Sequence, residues 1–482
     1  MKMKIPRLSF ILLFAVFLSA LPGCAGNPAP QDKELMFLSE EQEVDIGKEL
    51  YRNAIWAVEG GGGEYRDEGL KAYLKDIVLR VQRISERPGL SFDVAVQNTS
   101  LPNAWAIPGY VVITRGLLAA LDSEAEFVFI VGHEMAHVSA NHSARQMTYG
   151  MLQQIRFAAA ETGAWDEGYS AAALSAGAVG GATALLKYTK QQELEADGMA
   201  ISYMRHLGYD TAGAVSACRK FEAARRDYIE SSAADDEKAS IETLFAAHPR
   251  ASAGTGEIER MIQERGPYKL TADAAEGERF KEMLLELRAV NSIYAGYYDR
   301  AVRAAGKDLR EAEALALDAA DKDKGQPAFL SLMGFMMLKK KDYEGAERHF
   351  TSALKLNADY QPALKGIGTL HYLKGSYLDA LVFLHRAFSV FPEDMNTSYF
   401  LGMSLYKGKI CSRAVQYLNP FAEAYPMHTE IHGVLGVCYE NLKDTSAAYD
   451  EYLLQLKVSP GGEMGKHAAS RAAALREKLI RH

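Results

Sequence analysis

The chain has 482 residues, too many for one ordinary domain, so two or three are expected. At 48% hydrophobic and 24% charged it has the composition of a globular protein rather than a disordered or fibrous one. A formal net charge of -8 argues against nucleic acid as the main partner.

Lys2, Lys4 and Arg7 precede an apolar run from Leu8 to Leu21. A basic flank with a short apolar core predicts a secretory signal over 1–23, too short for a comfortable membrane span. Leu21-Pro22-Gly23-Cys24 resembles a bacterial lipobox, with Pro22 a less usual choice. It implies membrane attachment through a lipidated Cys24, the alternative being ordinary cleavage a little further on. No Asp follows Cys24, which by similarity to Gram-negative lipoproteins implies the outer membrane. Residues 24–34 read as a flexible tether.

Ser39-Glu40-Glu41-Gln42-Glu43 predicts an acidic, capped helix start that continues through Ile46, Leu50 and Ile55. Leu70, Leu74, Ile77, Val78, Val81 and Ile84 lie on one face of a second helix from about Glu68 to Ser85. A strand-like pair follows. Phe92, Val94 and Val96 alternate with polar residues, Tyr110 to Thr114 is rich in β-formers, and Asn103 to Gly109 joins them. Two readings stand: an edge to which an extended peptide can add, or a plain hairpin flooring the core.

Ser123 and Glu126 form a capping-box signature that starts a helix running through His137. Phe127, Ile130, Val131 and Val138 predict that this helix is buried. Within it stands His133-Glu134-Met135-Ala136-His137. The two histidines are four apart, about 40° round the axis, so both imidazoles point the same way. That is half of a zinc site, and Glu134, about 100° from His133, is placed as a general base.

Ser170 to Leu186 carries no charge but is rich in small residues, including Gly177, Gly180 and Gly181. It reads as a closely packed or mobile element, a membrane span being the alternative. Beyond it Glu193 and Asp197 are again four apart on one helical face. Glu193 can supply a third ligand, and Asp197 can accept a hydrogen bond from a ligand histidine. Glu195 reads as surface charge.

His133-Glu134-Met135-Ala136-His137 followed by Glu193-x-Glu195-Ala196-Asp197 resembles the HtpX-like and CAAX-prenyl-protease-like zinc metallopeptidases. Asn103 to Gly109 is similar to that family's segment ahead of the zinc helix, with one Gly where Gly-Gly is usual. Thr189-Lys190 stands where Ser-Arg is more familiar. His248-Pro249 is similar to a later His-Pro element, although its Arg follows at once at 250. The resemblance implies a zincin-like domain, one Zn2+ per chain held by His133, His137 and Glu193, Glu134 as catalytic base and Asp197 as supporting acid. His248 is implied either to stabilise the oxyanion or to cap the metal.

Gly334, Gly368, Gly402 and Gly436 recur every 34 residues, as do Ala346, Ala380, Ala414 and Ala448. Phe350, Leu384, Leu418 and Tyr452 follow four later in each unit. This is the tetratricopeptide period, and such arrays bind peptides or proteins or act as spacers. Ala312 and Ala319 keep the phase of a worn fifth unit in which Arg300 replaces the glycine. Cys411 falls in the turn after the first helix of the third unit and Cys438 near the end of the first helix of the fourth. They are either a disulfide pair or two small buried residues. With Cys218 and Cys24 they show no CxxC spacing, so a thiolate zinc site is not expected.

The expected architecture is mainly α. Signal peptide (1–23) and tether (24–34) precede an α-rich metallopeptidase domain with a small β-sheet over 35–270. A linker and degenerate repeat (271–326), an α-solenoid of four repeats (327–462) and a capping helix (463–482) follow. This domain order is similar to that of the BepA-type periplasmic proteases. It implies a periplasmic zinc endopeptidase, anchored to the outer membrane, that degrades misassembled envelope proteins. Its implied partners are protein or peptide substrates and, through the repeats, envelope assembly proteins. The rival reading is a periplasmic chaperone or assembly adaptor with a latent zinc site.

Overall fold

The computed structural model describes residues 40–56, 62–142, 188–231, 255–271, 275–305 and 307–480. The expected signal, tether and Cys24 anchor, the run 170–186 and His248 lie outside these residues. Among the described residues no helix is long and apolar enough to cross a membrane. The chain divides into two compact units between Asn291 and Ser292.

In the first unit α1 (Glu40–Ala54) precedes α2 (Glu68–Ile84). Asp67 caps α2 by accepting from the Leu70 amide at 2.9 Å, and the stripe Leu70, Leu74, Ile77, Val78 and Val81 is buried. Three strands follow, β1 (Asp93–Gln97), β2 (Ala104–Ile107) and β3 (Tyr110–Thr114), in the order β1-β3-β2. The expected pair, β1 and β3, is parallel, and the segment expected to join them supplies the third strand. Gly109, at φ +93°, makes the difference. It lets Pro108-Gly109 reverse the chain in two residues, so β2 folds straight back on β3.

α3 (Arg115–Ala120) leads to α4 (Glu124–Ser139), capped by Ser123 Oγ accepting from the Glu126 amide at 3.3 Å. The Glu126 carboxylate accepts from the Asp122 amide at 2.6 Å, so the cap is one-sided. Every residue from Glu126 to Ser139 is buried, which makes α4 the axis of the unit. α2, β2, β3, α5 (Lys190–Leu207) and α6 (Ala212–Ser231) pack around it, followed in the chain by α7 (Gly256–Glu264) and α8 (Glu276–Met283). Glu124, 1% exposed at the start of α4, accepts from the hydroxyls of Tyr73 and Tyr209 and from Arg80 and Arg279. One carboxylate thus ties α2, the segment after α5 and α8 to the axial helix.

The boundary between the units falls in α9 (Leu285–Ile293). A π-turn (Tyr294–Tyr298) carries the chain into α10 (Asp299–Ala304), and α11 (Leu309–Lys322) follows. Arg300, at the phase of the repeat glycines, is exposed, while Ala301 is buried. The π-turn adds one residue to the helix and so moves the packed face on by one position, which explains why arginine is tolerated there.

Four helix pairs then repeat: α12 (Pro327–Lys339) with α13 (Tyr343–Leu356), α14 (Gln361–Leu373) with α15 (Tyr377–Val390), α16 (Met395–Lys407) with α17 (Cys411–Ala424), and α18 (Ile431–Asn441) with α19 (Thr445–Val458). α20 (Glu463–Ile480) closes the described chain. The 34-residue period has a steric cause. A Cβ at Gly334, Gly368, Gly402 or Gly436 would come within 2.6, 2.5, 2.5 and 2.5 Å of Phe350, Leu384, Leu418 and Tyr452, the bulky residue of its own unit. The turn between the helices repeats as well, since Lys341, Gly375, Lys409 and Lys443 all have left-handed φ of +62° to +79°. Gly368→Ala is expected to destabilise the array by about 1–3 kcal/mol through overpacking. At an open helical site the same change would stabilise by about 1 kcal/mol, so the sign of the shift in thermal unfolding checks the contact.

Cys411 is the first residue of α17, one step beyond the expected turn, and Cys438 lies in α18. Both are buried, with sulfurs 2.7 Å apart. Expression in an oxidising compartment is expected to join them, because disulfides persist there. A peptide map without reductant should then link the two peptides and leave Cys218 open to alkylation.

Candidate metal centre

Two helices build the site. α4 carries His133, Glu134 and His137, all buried. α5 starts where Thr189 and Gln192 form a reciprocal capping box and ends at Gly208 with φ +77°. That fixes the length and register of α5, and Glu193 and Asp197 fall on its buried face. Gly132 packs against α5, where a Cβ would meet the Tyr203 ring at 3.4 Å, an ordinary contact.

The packing of α4 on α5 brings four of the expected residues together. His133 and His137 place their Nε2 atoms 2.9 Å apart. The Glu193 carboxylate bridges them, with Oε2 3.6 Å from His133 and Oε1 3.5 Å from His137. His133, His137 and Glu193 form a buried cluster of donor atoms able to hold a metal ion. Asp197 meets the far side of the first histidine, Oδ1 to Nδ1 at 2.8 Å. Glu134 follows His133 on α4 and is 5% exposed.

Two residues had escaped the sequence reading. His142 is fully buried with its Nδ1 2.9 Å from His137 Nδ1. Glu195, expected as ordinary surface charge, has Oε2 3.3 Å from His142 Nε2. The helix wheel misses both because His142 lies beyond the end of α4. Asn141, at φ +57°, turns the chain, and Arg87 holds that turn by donating to Asn141 Oδ1 at 2.7 Å and to the Val138 carbonyl at 3.4 Å. Glu43 in turn accepts from Arg87 at 2.9 Å. Tyr188 stacks on the His137 ring at 3.7 Å, which fixes the ring plane.

Residues 68–260 match peptidase family M48. A mitochondrial metalloendopeptidase OMA1 of Arabidopsis thaliana is 28% identical over 134 residues, 26% of this chain and 25% of the relative. The beta-barrel assembly-enhancing protease of Escherichia coli is 27% identical over 184 residues, 36% of each chain. The metalloprotease LoiP of Escherichia coli is 31% identical over 154 residues, 31% of this chain and 59% of the relative. The chain thus spans between a quarter and three fifths of these relatives. Both helices of the site fall inside the segment, residues 68–260, that matches peptidase family M48.

Proposed function

We propose that this domain is a zinc-dependent endopeptidase. The observation that carries it is the buried convergence of His133 Nε2, His137 Nε2 and the Glu193 carboxylate, with Glu134 buried beside them. The donor set suits zinc. Bonds of about 2.0–2.2 Å in a tetrahedron put ligand atoms about 3.3–3.6 Å apart. The Glu193 carboxylate sets one oxygen 3.6 Å from His133 Nε2 and the other 3.5 Å from His137 Nε2, near that range, and the histidine pair at 2.9 Å needs a few tenths more.

Zinc held by these three residues would polarise a carbonyl and lower the pKa of water toward ~7. Glu134 takes the proton of the attacking water and returns it to the leaving amine. Asp197 accepts a hydrogen bond from His133 Nδ1–H, which leaves the Nε2 lone pair for the metal. β2 is an edge strand packed against α4, where an extended peptide can add as a further strand.

The wider setting rests on the chain's two ends and on its relatives. We infer an exported protease of the bacterial envelope, tethered at Cys24 to the outer membrane, that removes misassembled envelope proteins recruited through the repeats. The signal-like N-terminus, the repeat array and the similarity to a beta-barrel assembly-enhancing protease support this.

Purified protein is expected to carry about one zinc per chain and to cleave an unfolded model protein. A chelator should stop cleavage and added zinc restore it. Cleavage that survives complete removal of metal would overturn the proposal. Zinc-loaded protein that suppresses aggregation without cutting would instead point to a chaperone with a latent site.

A further inference from the structure

We propose that His142 and Glu195 form a positioning chain that orients His137 toward the metal, an assignment that rests on the zinc reading above. Donors and acceptors must match at every contact along this chain. If His137 gives its Nε2 lone pair to a metal, its Nδ1 must carry the proton. That Nδ1 faces His142 Nδ1 at 2.9 Å, so His142 accepts there with a lone pair and its own proton sits on Nε2. Nε2 faces the Glu195 carboxylate at 3.3 Å, which can only accept when ionised. The chain therefore has one consistent direction of donation, from His137 to His142 to Glu195, and each group has the polarity its neighbour requires.

Burial gives the chain its force. His137 and His142 are both 0% exposed, so neither ring can trade its partner for water. The Glu195 side chain is 37% exposed and forms the solvent end. The two ligand histidines are thus held differently. His133 meets Asp197 directly, whereas His137 reaches its carboxylate through a second imidazole. All three acids of Glu193-Leu194-Glu195-Ala196-Asp197 then serve the centre, one toward the metal and two behind its histidines. The Asn141 turn and the Tyr188 stack hold the geometry from either side.

Zinc affinity, measured by chelator competition on full-length protein, tests the chain independently of peptidase activity. His142→Leu is expected to weaken zinc binding by about 10–100-fold, the usual loss when a ligand's outer partner is removed. His142→Gln, whose amide can both accept and donate, should recover most of that affinity. Glu195→Leu should give a smaller loss with the metal-free melting temperature unchanged, and Glu195→Gln less still. The cobalt-substituted His142→Leu protein should show a shifted visible absorption spectrum. Unaltered zinc affinity in both His142→Leu and Glu195→Leu would overturn the proposal. Equal losses in His142→Leu and His142→Gln, accompanied by a lowered metal-free melting temperature, would also overturn it and leave His142 as packing. If His142→Leu does not fold, Glu195→Leu decides by the same measurement. Wild-type protein that takes up no zinc would remove the zinc reading and this chain with it, whereas zinc-loaded wild type lacking peptidase activity would remove only the enzymatic reading.

Discussion

Alanine at His133, His137 or Glu193 is expected to strip the protein of zinc and of peptidase activity together. Each change leaves two donors where a closed structural or open catalytic site needs at least three. The loss of affinity should exceed the about 10–100-fold expected for an outer partner, because the bond to the metal itself is gone. The three side chains are buried, and the Glu193 carboxylate oxygens lie 3.6 Å from His133 Nε2 and 3.5 Å from His137 Nε2. Zinc analysis after equilibration at fixed free zinc, with circular dichroism to confirm the helices, checks this. Wild-type zinc content in any of the three variants would show that the metal sits elsewhere.

Glu124→Leu is expected to destabilise the first unit by about 3 kcal/mol, the low end for a buried charge pair that loses one partner. The low end applies because Arg80 and Arg279 are 34% and 54% exposed and can turn to solvent. The hydroxyls of Tyr73 and Tyr209 have less freedom. Burial opposes the charge on Glu124, but hydrogen bonds from Glu276, Tyr73, Tyr209 and Arg80 outweigh it and hold the carboxylate at about 2. Burial first, and then the hydrogen bond and charge of Glu124, push Glu276 the other way, above the usual carboxylate range. Denaturant unfolding followed by a probe in the first unit measures the loss, and a change under about 1 kcal/mol would show that Glu124 holds nothing in place.

The parts that periodicity can carry are legible in the sequence. His133, His137, Glu193 and Asp197 sit at four-residue spacings on helices, so their common faces follow from the helical repeat. The repeat array was legible because four glycines each meet one bulky residue sixteen positions later. What was lost depends on single backbone departures that have no period. The left-handed Asn141 brings His142 back beneath His137, and only then does Glu195, about 200° round α5 from Glu193, gain a partner. Gly109 turns a presumed connection into β2, and the π-turn at Tyr294–Tyr298 slips the repeat phase so that Ala301 is buried in place of Arg300. Each is a local choice of one or two dihedral angles with consequences several residues away.

In the proposed mechanism His133, His137 and Glu193 hold the metal while Glu134 moves the proton. Comparing wild type with Glu134→Gln at equal measured zinc occupancy, on an unfolded protein substrate, tests it most directly. The variant is expected to keep about one zinc per chain and to cleave about 10²–10⁴-fold more slowly, the usual contribution of a general base. Cleavage at the wild-type rate by zinc-loaded Glu134→Gln would contradict the account.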